Sequence, residues 1–177
     1  MHFIKIAAVL AGTIFVMNAL HELGHALMAK ALGYDVVMTI NGVSEASGDG
    51  FLTLLHTNLV SAAGPVVTIL LALAAYLWRE RLGFLAPIVI WAAMTMRLLA
   101  AIFSLSLPND EARISASLGL GMWTLPVAVV AGLVLLFILI ARETKLGWRW
   151  YLAAWAGMSV GYSAVILGED YLPAFAF

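Results

Sequence analysis

The chain has 177 residues, 64% of them hydrophobic and 11% charged, with a net charge of −1 at pH 7. A mean hydropathy of +1.03 lies outside the range of soluble globular domains and predicts an integral membrane protein, multi-pass in the cell (plasma or inner) membrane. No block of basic residues accompanies the aromatic ones, which sets nucleic acid aside as a partner. The absence of cysteine excludes disulfides, thiolate metal sites and a cysteine nucleophile, so any metal must use His, Asp or Glu.

Crossing a hydrocarbon core takes about 20 apolar residues, which predicts five transmembrane helices at about 3–32, 59–78, 84–107, 119–141 and 148–167. The expected fold class is an all-α polytopic membrane protein with a short β-hairpin segment after the first helix. It forms a single integral membrane domain over residues 1–177. The opening MHFIKIAAVLAGTIFVMNAL resembles a signal peptide in its lone lysine and apolar run. It continues without a small-x-small cleavage site, however, and reads as a retained span. At about 45 Å if wholly helical, that span must tilt, bend near Gly12 or project beyond the bilayer.

Late in the first span stands MNALHELGHALMAK. His21 and His25 are one helical turn apart and can grip one metal ion, with Glu22 beside them. Asn18, His21, Glu22, His25 and Ala29 fall within an arc of roughly 100°. Each ionisable residue deep in a membrane helix costs about 3 kcal/mol, and zinc binding of order 10 kcal/mol offsets that. A hydrolytic zinc takes three protein ligands and a water, and Glu22 is placed to remove the proton of that water.

The polar segment that follows, GYDVVMTINGVSEASGDGFLTLLHTN, combines a β-branched run with Asn41-Gly42 and Gly-Asp-Gly turn signals, as in one or two short hairpins. Its Asp35, Glu45 and Asp49 read as solvated, and His56 as a polar residue at the hairpin base. Ser47 lacks the context of a serine protease, and Asp35 and Asp49 lie in one connection rather than on two facing spans. In the third span, Arg97 is an isolated cation that snorkels or pairs with an acid. A third metal ligand is still required: Asp110 in SLSLPNDEARIS, after that span, is the first choice, Glu111 its nearest competitor, and His56 in FLTLLHTNL a weaker one. The plain alternative for both acids is a helix N-cap followed by a first-turn acid. Lys5, Arg79/Arg81 and Arg142/Lys145/Arg149 fall on one side of the membrane, which by the positive-inside rule is cytoplasmic, leaving the hairpin outward.

HELGH within a span, SAAGPVVTILLALAA in the next and LPNDE after a third resemble the site-2 protease family of intramembrane zinc metalloproteases. The similarity covers residues of about 10 to 115, the region about the first three spans. The resemblance implies cleavage of a transmembrane protein substrate within the lipid bilayer, with one Zn2+ per chain. It implies His21, His25 and Asp110 as metal ligands and Glu22 as general base. Gly64 and Pro65 match the A-G-P start of a helix and are implied in substrate binding. Two positions depart from the family pattern: Thr68 stands for Asn, and Glu111 for Gly after the aspartate. Family members hold the metal nearer the cytoplasm, opposite to the side given by the charges. The resemblance leaves oligomeric state unspecified. Because a substrate helix must unwind before it is cut, an exposed strand edge near DVVMTI is expected to receive it by strand addition. Two further readings are a non-proteolytic zinc-binding membrane adaptor and a transporter or metal carrier.

Overall fold

The computed structural model describes residues 3–177; residues 1 and 2, within the expected domain, lie outside the described residues. Helix α1 (Phe3–Ala31) leads to a hairpin of β1 (Val36–Met38) and β2 (Val43–Glu45). Then come α2 (Leu54–Leu77), the single turn α3 (Arg79–Leu82), α4 (Leu85–Phe103) and the short α5 (Asp110–Ser117). Helices α6 (Thr124–Glu143) and α7 (Trp148–Gly168) follow, then a 3-10 turn at Glu169–Tyr171 and β3 (Phe175–Ala176). Among the described residues, five helices, α1, α2, α4, α6 and α7 with its 3-10 extension, are long and apolar enough to cross a membrane.

Helix α1 is central. Its buried Ile6, Leu10, Ile14, Met17 and His21 recur every three to four residues and form one stripe along the helix. It is helical without a break through Gly12. Helix α7 meets it through Gly157 and Gly161, two small residues one turn apart of the kind that let membrane helices approach closely. A Cβ on Gly157 would lie 2.4 Å from the Ala7 carbonyl oxygen, and one on Gly161 3.0 Å from Ile14 Cβ. Gly24 gives α2 similar access, 3.0 Å from the Ala63 carbonyl oxygen. Trp91, Phe137 and Trp150 close the other end of the core, with ring centroids 5.0 to 5.8 Å apart.

Two boundaries differ from expectation for identifiable reasons. Helix α2 begins at Leu54 rather than near residue 59, because Thr53 Oγ1 accepts the His56 N–H and caps it. Pro65 therefore lies inside the helix, correcting the expected A-G-P helix start. The missing N–H at Pro65 removes one bond without breaking α2.

The polar segment forms one hairpin, and a third strand joins it in the order β2-β1-β3. Val37 pairs with Ser44 on one side and Ala176 on the other, both antiparallel. Val36 and Phe177 also exchange backbone bonds of 3.2 and 2.9 Å. Both edges of β1 are thus occupied, which corrects the expectation that the DVVMTI strand is open. The hairpin tip is tied to the end of α7: Thr39 Oγ1 and Asn41 Nδ2 donate to the Glu169 carboxylate, each at 2.9 Å.

Candidate metal centre

The HELGH residues face inward from α1 onto the first half of α2. His21, Glu22 and His25 are all buried, their ligand atoms lie within 4.8 Å of one another, and the group could hold a metal ion. The two imidazoles are oriented by α2. His25 Nδ1 lies 2.6 Å from the Val60 carbonyl oxygen, which can only accept, so this nitrogen carries the proton. His21 Nδ1 lies 3.0 Å from Thr68 Oγ1, whose hydroxyl donates to the Gly64 carbonyl at 3.2 Å. The hydroxyl proton is committed to Gly64, so His21 Nδ1 is the donor here as well. Both Nε2 atoms are left as acceptors facing the same point, 3.0 Å apart.

Helix α5 brings an acid to that point. Asp110 Oδ2 is 3.3 Å from His21 Nε2 and 3.5 Å from His25 Nε2. Its other oxygen accepts from Arg113 Nη2 at 2.8 Å.

Gly64 lies directly against the two histidines. A Cβ there would be 2.3 Å from His25 Nε2 and 2.7 Å from His21 Nε2, so no side chain fits. The glycine gives α2 its close approach to the ligand atoms. Thr68 is wholly buried behind His21.

The remaining candidates separate by position. Glu111 is buried but turns to Arg97, whose Nη1 lies 3.2 and 3.3 Å from its two oxygens. His56 bonds the Tyr34 hydroxyl at 2.6 Å at the base of the hairpin. Asp35 pairs with Lys30 in solvent, and Glu45 and Asp49 bond Ser47 in the turn. Two contributors were not assigned from sequence: the Val60 carbonyl, which carries no residue-type signal, and Arg97, whose isolation in an apolar span was its only mark.

The cluster opens onto a cavity of about 1080 Å³ lined by Asn18, Glu22, Val43, Arg97 and Tyr162 among others. Among the described residues Glu22 has no hydrogen-bond partner. Comparison with known protein families, curated proteins and solved structures gives no match to this chain.

Proposed function

We propose that this protein is an intramembrane zinc metalloprotease, as its resemblance to the site-2 protease family implies, and that His21, His25 and Asp110 are the metal ligands. The carrying observation is the triangle of 3.0, 3.3 and 3.5 Å formed by two imidazole Nε2 atoms and one carboxylate oxygen. Donors on a tetrahedral zinc at 2.0–2.1 Å are about 3.3 Å apart, so the triangle has the size of one face of that tetrahedron. Charge supports the same reading. With neutral histidines, ionised Glu22, Asp110 and Glu111 exceed Arg97 and the Arg113 that bonds Asp110 by one negative charge, an imbalance that favours a bound cation. Two histidines and a carboxylate suit zinc and leave a position for water.

When bound, zinc supplies a Lewis acid that polarises the scissile carbonyl and acidifies the water. The chain's own residues do the rest. Glu22 accepts the proton of the attacking water and passes it to the departing amine. Thr68 and Val60 hold the two imidazoles in the required tautomer. The cavity excludes bulk lipid and receives an unwound segment of the substrate. Val43 is the strand residue at its wall, and the alternation that pairs Val37 with Ser44 turns the Val43 N–H and C=O away from β1. The extended substrate adds to this β2 edge, not to β1.

The test is Glu22→Gln, purified beside wild type and assayed on a panel of fluorogenic transmembrane peptides. The variant is expected to retain one zinc per chain and lose cleavage by at least about 10². Cleavage by the Gln variant at the wild-type rate would remove Glu22 from the mechanism. Zinc-loaded wild type inert on every membrane substrate would favour the adaptor.

A further inference from the structure

Arg97 is only 4% exposed, in the second half of a membrane-spanning helix, where a cation is expensive. If its task were only to neutralise Glu111, the guanidinium would be expected to present two nitrogens to the two carboxylate oxygens, the fork geometry that makes such pairs strong. It does not. One nitrogen, Nη1, contacts both Glu111 oxygens and also lies 3.5 Å from Asp110 Oδ2. Nη2 is directed to the metal centre, 3.5 Å from His21 Nε2, and Nε has no hydrogen-bond partner among the described residues. Glu111 thus anchors one corner of the guanidinium while a second corner faces the point where the three ligand atoms converge. The same side chain lines the cavity that Glu22 lines.

We propose that Arg97 is a catalytic residue, the donor that stabilises the oxyanion formed during hydrolysis, with Glu111 positioning it. This rests on the hydrolase reading given above. As water adds to the scissile carbonyl, a C–O bond forms, the carbonyl π pair moves onto oxygen, and the water's proton goes to Glu22. The new oxyanion receives hydrogen bonds from Arg97 Nη2. When the adduct collapses, the C=O re-forms, the C–N bond breaks and the amine nitrogen takes the proton from Glu22. Charge develops only on this path, so a preformed donor in a dry site lowers the barrier without tightening substrate binding.

The test uses the full zinc-loaded chain in detergent and a probe that mimics the tetrahedral adduct, the phosphinic isostere of a leucyl-alanine dipeptide. Arg97→Met alone would strand the Glu111 charge, so the variant is Arg97→Met with Glu111→Met, which replaces the pair by apolar side chains. A second variant, Arg97→Lys, keeps the charge but shortens the reach. Both are expected to keep one zinc per chain and a wild-type Tm. The double variant is expected to lose phosphinate affinity on the order of 10²-fold, with kcat falling to match and KM little changed. Arg97→Lys should lose most of that affinity, although a purely charge-balancing role would leave it intact. Wild-type phosphinate affinity in both variants, with zinc in place, overturns the proposal and leaves the hydrolase reading standing. Zinc-loaded wild type that neither cleaves a membrane substrate nor binds the phosphinate overturns both.

Discussion

His21 Nδ1 and Thr68 Oγ1 lie 3.0 Å apart across the α1–α2 interface, and that contact decides which nitrogen of His21 faces the metal centre. Thr68 commits its own proton to the Gly64 carbonyl, so it can only accept from His21. Replacing the hydroxyl by a methyl removes the acceptor and leaves the buried Nδ1–H unpaired.

Thr68→Val is nearly the same size, so it isolates this bond. Zinc affinity is expected to fall about 10- to 100-fold, the usual effect of losing such a partner, and Thr68→Ser to restore most of it. Competition with a chelator of known affinity measures both. Equal affinity in Val and wild type would show that Thr68 does not orient the ring.

Gly64→Ala tests the close approach of α2. Alanine is the better helix former by about 1 kcal/mol, so local propensity favours the substitution. Its methyl group, however, would stand 2.3 Å from His25 Nε2. The variant is expected to remain helical by circular dichroism and lose zinc. Full zinc content would mean that the helices can separate without cost to the site.

Strand addition at β2 predicts a contrast between two prolines. Val43→Pro removes an N–H that points away from β1 and is expected to lower cleavage at least about tenfold with zinc retained. Val37→Pro strikes a residue paired on both sides and should lower the Tm as well. If Val43→Pro cleaves transmembrane peptides at the wild-type rate, the β2 edge is not where substrate binds.

Much of this architecture was legible in the sequence because bilayer thickness imposes long apolar runs, and the spans near 84–107 and 148–167 begin within a residue of α4 and α7. The i, i+4 spacing of His21 and His25 was equally readable, since the helix itself sets their geometry. What escaped depended on contacts distant in sequence. Thr68 looked like a departure from a pattern until α2 placed it behind His21. The DVVMTI strand looked open because nothing local announces that Phe175–Ala176 will return to cover it. Arg97 and Glu111, 14 residues apart, became a pair only once α5 folded back against α2 and α6. Pro65 was misread because the true helix start is set by a capping threonine eleven residues before Gly64.

The central claim is that α1 and α5 jointly hold one metal ion, and metal stoichiometry tests it most directly. Wild type, His21→Ala and Asp110→Ala would be purified in parallel and analysed by mass spectrometry, with Asp35→Ala as a control in solvent. The account predicts about one zinc per chain in wild type and the control, and less than about a tenth in the other two. A wild type that purifies without metal and takes up none from zinc buffer would contradict it, as would full zinc content in Asp110→Ala.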